Sequence, residues 1–167
     1  EVSSQYLSAV AMIAPYTQNG VELEISGNAV SRHYFEMTLK IMQKLGIQVD
    51  DQGDVVKIKP GDYDFPNNIE IEADWSSASY WYSFAALSRQ CTLKLKYLSN
   101  SKLQPDSATC RIFNGFGVGS IFKEDETWVV KEGEPRPIQL RRYDLIYSPD
   151  IAQTMAVVIA ALNKSAI

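Results

Sequence analysis

The sequence is poor in the residues that build metal sites and covalent frameworks. Its 167 residues hold two cysteines, Cys91 and Cys110, and one histidine, His33. No Cys-x-x-Cys pair occurs, so neither a zinc ribbon nor a disulfide scaffold is expected. Both cysteines read as reduced core thiols of a cytoplasmic protein. No apolar run nears the roughly 20 residues that span a bilayer. The longest, Met155 to Leu162, reads as a buried helix. Positive charge is also scarce: 16 Lys and Arg against 20 Asp and Glu leave a net charge of −4. That balance argues against a nucleic-acid partner or a membrane surface. The opening Glu1-Val2-Ser3-Ser4 has no basic region and no initiator Met. No signal or transit peptide is expected, and the chain reads as a piece of a longer one.

What is present is a globular balance, 46% hydrophobic and 22% charged, with length for one domain or two small lobes. Helix and strand signals alternate. Ser4 to Ala14 has helical spacing, with Leu7, Val10, Ala11 and Ala14 on one face. Val21 to Ile25 alternates as a half-buried strand. Ser31 to Leu45 is a stronger helix, with Tyr34, Met37, Thr38, Ile41, Met42 and Leu45 as its apolar stripe. Ile47 to Val49 and Val55 to Ile58 form a hairpin around Asp51-Gln52-Gly53-Asp54. The scheme then restarts: strand Ile69 to Glu72, helix Ser76 to Leu87, strand Thr92 to Lys96, helix Asp106 to Phe116, hairpin Ser120 to Lys131, strand Gln139 to Arg141 and helix Asp150 to Leu162.

Ser3 and Ser76 are 73 residues apart, and Ser76 and Asp150 are 74 apart. Gly46 and Gly117, 71 apart, each suit a left-handed helix end. A repeat of about 73 residues follows. Each unit opens with a helix whose first turn is rich in Ser or Asp. In the third, Ser148 is expected to cap, Pro149 to take the first position and Asp150 to complement the dipole. Parallel packing would gather these N-termini at one end. There, free N–H groups and Ser hydroxyls attract phosphate or carboxylate. A plain helix cap explains Ser3, Ser4 and Ser31 equally well. Core packing does so for Tyr34, and dipole complementation for Asp150. Tyr80, Trp81, Tyr82 and Phe84 make the second unit's first helix aromatic on several sides, as in an interior helix.

Several stretches together resemble the EPSP synthase family. They are Ser3-Ser4-Gln5-Tyr6-Leu7-Ser8-Ala9, Val30-Ser31-Arg32-His33-Tyr34 with Met37-Thr38-Leu39, Asp74-Trp75-Ser76-Ser77-Ala78-Ser79-Tyr80, and Pro149-Asp150-Ile151-Ala152. Each is weak alone; the ordered set is specific. The resemblance implies an α/β (α+β) fold of repeated βαβαββ units, the inside-out barrel of enolpyruvyl transferases, here incomplete. It implies a crossing between domains near Glu72 to Asp74. Residues 1–72 would then belong to the shikimate-phosphate-binding domain and 73–167 to the second. It implies transfer of the enolpyruvyl group of phosphoenolpyruvate to the 5-hydroxyl of shikimate 3-phosphate, without metal or organic cofactor. By the resemblance, Ser3, Ser4 and Ser31 bind the substrate phosphate. Gln5 and Tyr34 contact the shikimate, and Asp150 is the candidate general base.

There are departures. Arg32-His33 stand where the family usually has Lys-Pro, and Gln104-Pro105-Asp106 where Gln-Gly-Asp is commoner. Arg32 reads either as a charge near a phosphate or as a surface residue. The family's early Lys-Ser segment, central Gly and Arg loops and late Lys-Glu-x-x-Arg segment have no counterpart here. This chain alone is therefore expected to be inactive and to self-associate through cut faces, the full-length enzyme being a monomer. Two readings stay open: the sister transferase acting on UDP-N-acetylglucosamine, and a non-catalytic α/β repeat module. Ser3-Ser4-Gln5 and the lack of a nucleophilic cysteine loop disfavour the sister enzyme.

Overall fold

Ser3 and Asp74 each start a helix, and from those two caps the chain writes the same motif twice. The computed structural model describes residues 3–26, 32–100, 103–133 and 143–162. The chain divides into two compact units, residues 1–70 and 71–167. In the first unit, helix α1 (Ser4–Ile13) runs through a 3-10 turn at Ala14–Tyr16 into strand β1 (Val21–Glu24). Helix α2 (Arg32–Lys44) and the hairpin β2 (Val49–Asp51) and β3 (Val55–Ile58) complete it. β3 is central and antiparallel to both neighbours, so β1 and β2 run parallel on either side. Alternation puts Val56 and Ile58 inward and Lys57 outward, where its Nζ lies 3.2 Å from Glu22. Ala11, Ala14, Phe35, Leu39, Met42 and Ile47 cover the inner face.

The second unit repeats that order with helix α3 (Trp75–Leu87), strand β4 (Thr92–Lys96), helix α4 (Thr109–Asn114), and the hairpin β5 (Val118–Phe122) and β6 (Glu126–Lys131). β6 is again the central antiparallel strand. Helix α5 (Ile151–Ala161) follows and packs on α3. Trp75, Tyr82, Phe113 and Phe116 form a chain of ring contacts with centroids 5.6–6.1 Å apart. Val118, Val129, Ile151, Met155 and Val158 close the core around them. No helix among the described residues is long and apolar enough to cross a membrane.

The two units superimpose in sequence at an offset of 71 residues, not 73. Ser4 and Trp75 start helices; Val21 and Thr92, then Val55 and Glu126, start strands. The core positions Ala11/Tyr82, Ala14/Ala85, Met42/Phe113, Ile47/Val118 and Ile58/Val129 are buried in both. Gly46 (φ 87°) and Gly117 (φ 77°) sit at the same place, one residue before the second hairpin's first core side chain. At Gly46 the chain closes a Schellman end: Ile47 N–H donates to Met42 O at 3.0 Å and Gly46 N–H to Gln43 O at 3.1 Å. Only glycine takes that left-handed φ without strain.

Other expectations need correction. Residues 69–72 form no strand; Ile69 and Ile71 are 53% and 83% exposed. Alternation alone does not make a strand when no neighbour takes its N–H and C=O groups. The expected helix Asp106 to Phe116 is a 3-10 turn at Pro105–Ala108 followed by α4. α2 buries Phe35, Leu39 and Met42 and leaves Ile41 40% exposed, so its inward face is rotated from the expected stripe. α2 carries apolar residues on two stripes, and periodicity cannot rank them. α3 buries Tyr82 but exposes Tyr80, Trp81 and Phe84 by 52–58%. The expected strand Gln139 to Arg141 lies outside the described residues.

Lys131, at the end of β6, ties the second unit together. Its Nζ donates to Ala86 O at 2.9 Å and Phe116 O at 3.1 Å. Those carbonyls belong to the C-terminal ends of α3 and α4, where a cation also meets the negative ends of both dipoles. Lys131→Met keeps the stem and removes the charge. It should cost about 1–3 kcal/mol of stability, the range for charge-assisted bonds to partly buried carbonyls. Urea unfolding followed by tryptophan fluorescence checks it; an unchanged midpoint contradicts the role.

Candidate functional site

The starts of α1, α3 and α5 satisfy their free N–H groups in three different ways. At α1, Ser3 is the N-cap in extended backbone, and its Oγ accepts from Gln5 N–H at 3.3 Å. No acidic residue lies in the first turn. Ser3 and Gln5 are exposed, while Ser4 is 5% exposed. Tyr6 N–H donates to Ser3 O at 3.0 Å, and Ser4 N–H has no acceptor among the described residues. The end of α1 therefore offers the positive pole of its dipole and two accessible polar side chains, with no acidic residue in its first turn.

α3 is closed. Asp74, not Ser76, is its N-cap: Oδ1 accepts from Ser76 N–H at 2.9 Å and Oδ2 from Ser77 Oγ at 2.6 Å. Burial raises the Asp74 pKa, but the bonds from Ser77 and Ser76 outweigh it and hold the carboxyl below its usual value. Ser76 Oγ donates to Oδ2 of Asp106, which is 1% exposed. Gln104 completes the arrangement: its Oε1 accepts from Trp75 N–H at 2.8 Å, and its Nε2 donates to Glu72 Oε1 at 2.8 Å and Ala73 O at 3.0 Å. Both serine hydroxyls that resemble the α1 pair are thus spent on carboxylates. A further anion has no place at α3. This polar knot escaped the sequence reading, although an Asp directly before a Ser-rich helix start is a capping signal.

α5 is different again. Asp150 precedes it in helical backbone, is exposed, and makes no side-chain cap bond. The expected cap, Ser148, is 4% exposed and its Oγ donates to Pro105 O at 2.9 Å instead. The turn is closed by backbone bonds, Ile151 N–H to Ser148 O at 3.2 Å and Ala152 N–H to Pro149 O at 3.0 Å. Asp150 is left as an accessible carboxylate beside a helix start, an arrangement able to accept a proton.

Ser3, Ser4, Gln5 and Tyr34 share the first unit, and Asp150 belongs to the second. Ser31 lies outside the described residues. Tyr34, in the first turn of α2, is half-buried and stands beside the core residue Phe35 rather than in the core. Among the described residues, no three His, Cys, Asp or Glu side chains gather where they could hold a metal ion. Cys110 is half-buried, and burial pushes its thiol up, away from a nucleophilic thiolate.

Arg32 is committed within its own unit. Its Nε lies 3.1 Å from Glu36 Oε1, its guanidinium 3.0 Å from Asp51 Oδ1, and His33 Nδ1 lies 2.8 Å from Glu36 Oε2. Burial raises the Glu36 pKa, but the hydrogen bonds and charges of His33 and Arg32 outweigh it and leave it lowered. A carboxyl with a lowered folded pKa contributes stability above its ordinary range and loses it as pH falls through the folded value. Glu36→Gln should therefore lower the melting temperature by about 2–4 °C at pH 7. The gap should narrow as pH falls from 5 to 3. Thermal unfolding across that range tests this; a gap independent of pH would show that the ion cluster contributes nothing.

The sequence profile described as EPSP synthase (3-phosphoshikimate 1-carboxyvinyltransferase) matches residues 1–167. A 3-phosphoshikimate 1-carboxyvinyltransferase of Bacteroides fragilis is 37% identical over 164 residues, covering 97% of this chain and 39% of that protein. The chloroplastic enzyme of that name from Arabidopsis thaliana is 36% identical over 166 residues, covering 94% and 31%. The solved EPSP synthase from Acinetobacter baumannii shares the fold, with a TM-score of 0.65 at 15% identity over 95% of this chain and 37% of that one. The chain spans about two fifths of the length of such relatives. With all 167 of its residues matched, the chain belongs to the EPSP synthase family.

Proposed function

We propose that the full-length protein carrying this chain transfers the enolpyruvyl group of phosphoenolpyruvate to the 5-hydroxyl of shikimate 3-phosphate, with release of phosphate. Family membership supports the reaction class. One observation in the structure carries the reading to particular residues: α1 begins with Ser3-Ser4-Gln5 and no acid, while the matching start of α3 is filled by Asp74 and Asp106. An anion has reason to sit at the first and none at the second. Residues 1–72 are read as part of the domain that holds the shikimate 3-phosphate and 73–167 as part of the other.

In this reading Ser3 and Ser31 donate hydroxyl protons to the substrate phosphate. Ser4, buried apart from its place at the helix start, contributes chiefly its N–H. Gln5 offers the shikimate ring hydroxyls both a donor and an acceptor. Tyr34 contacts the ring side of the same ligand. Asp150 takes the proton of the 5-hydroxyl as that oxygen attacks the enolpyruvyl carbon, and the phosphate leaves. Each of these steps needs charge compensation that an acidic chain of two units does not supply. The remaining three fifths of the full-length protein would bring it.

Asp150→Asn in the full-length protein should lower kcat about 10²- to 10⁴-fold, the usual worth of a positioned general base. Ser3→Ala with Ser4→Ala should raise KM for shikimate 3-phosphate about tenfold or more, as expected for lost charge-assisted bonds. Phosphate release measured with shikimate 3-phosphate, and in parallel with UDP-N-acetylglucosamine, provides the readout. Turnover of the nucleotide sugar alone would replace this reading with the sister reaction. Unchanged kinetics in Asp150→Asn would remove Asp150 from the chemistry.

A further inference from the structure

We propose that Ser8 and Thr38, bonded hydroxyl to hydroxyl between α1 and α2, are a positioning pair that sets the spacing of Ser4 and Tyr34 and so the fit of shikimate 3-phosphate. The inference rests on the function proposed above. Thr38 Oγ1 lies 3.0 Å from Ser8 Oγ and 3.1 Å from Tyr34 O. Each hydroxyl has one proton, and two protons fill both bonds when Ser8 donates to Thr38 and Thr38 to the carbonyl. The pair therefore joins the backbone that carries Tyr34 to the helix that carries Ser4.

The register follows from helix geometry. Ser8 comes four residues after Ser4, and Thr38 four after Tyr34, so each lies one turn below its partner on the same face. α1 and α2 lead into β1 and β2, which run parallel, so the two helices point the same way. One turn is about 5.4 Å. A bond at Ser8–Thr38 thus fixes the gap between Ser4 and Tyr34 one turn nearer the open end. Ser4, Ser8 and Ala11 also make a stripe of small residues on α1 that lets α2 approach closely.

The second unit is an internal control. At the 71-residue offset Ser8 and Thr38 become Ser79 and Thr109. There the pair is not made. Ser79 Oγ donates to Ser76 O at 2.6 Å on its own helix, and Thr109 Oγ1 is buried without a partner. The two hydroxyls are bonded to each other beneath the start of α1, and not to each other beneath the start of α3, which carboxylates close.

Steady-state kinetics of the full-length protein test the pair. Thr38→Val and Ser8→Ala should each raise KM for shikimate 3-phosphate about three- to tenfold, the span of one net hydrogen bond. KM for phosphoenolpyruvate and kcat should stay within about twofold, and the double variant should be no worse than the worse single one. Thr38→Ser, which keeps the hydroxyl and loses the methyl, should bind better than Thr38→Val; a packing role gives the opposite order. Thr109→Val should leave all three constants unchanged. An unmoved KM for shikimate 3-phosphate, or Thr38→Ser worse than Thr38→Val, overturns the proposal. A wild-type protein that does not turn over shikimate 3-phosphate overturns the function reading itself, and the pair with it.

Discussion

A helix that begins at the surface leaves backbone N–H groups pointing out of its end, and something must answer them. In this chain that requirement is met by a Ser cap at α1, by the Asp74 carboxylate and the Gln104 amide oxygen at α3, and by a backbone turn at α5. The rest of the arrangement depends on the choice. Filling α3 from within makes its start a structural joint: Gln104, Glu72 and Trp75 gather on it and bind the first residues of the second unit to the body behind them. Leaving α1 capped only by Ser3 keeps a positive pole at the surface. One helix start holds the protein together, and the other is free to hold something else.

Both outcomes come from the same frame. A central antiparallel strand with parallel strands on either side forces the preceding helices onto one face, all pointing the same way. The core residues that enforce this are interchangeable in kind. Ala11 corresponds to Tyr82 in the repeat, and Met42 to Phe113, each buried in its own unit. What is not interchangeable is the chemistry at the ends. At the repeat position of the buried Phe35 the second unit has the buried Asp106, and that one exchange converts a hydrophobic wall into the acceptor for Ser76.

Much of this was legible in the residues. The strand Thr92–Lys96, the presence of both hairpins and the start of α1 follow from alternation, turn residues and capping chemistry, which are local, although β2 is Val49–Asp51 rather than the expected Ile47 to Val49. The period was misread by two residues because serines were matched to serines. Gly46 and Gly117, whose spacing is 71, already carried the true offset. Glycine at a left-handed helix end is dictated by backbone geometry, whereas Ser and Asp trade places freely as caps. Residues 69–72 alternate as a strand but join neither sheet. The inward face of α2 depended on which of two apolar stripes the sheet would meet. Ser148 looked like a cap, yet its hydroxyl is drawn to Pro105 O by a contact 43 residues away. At the candidate site, the family resemblance points to Ser3, Ser4, Gln5, Ser31, Tyr34 and Asp150, but nothing local announces that Asp106 takes the Ser76 hydroxyl as Asp74 takes that of Ser77.

The two left-handed glycines carry a last consequence. Two units with the same element order can differ in almost every side chain, as these do, and still meet the same steric rule wherever the backbone turns against its natural hand. Any side chain at Gly46 or Gly117 would force that hand to change or the hairpin behind it to move. The likeness of the two units is therefore sharpest in chirality, at the positions that carry no side chain at all.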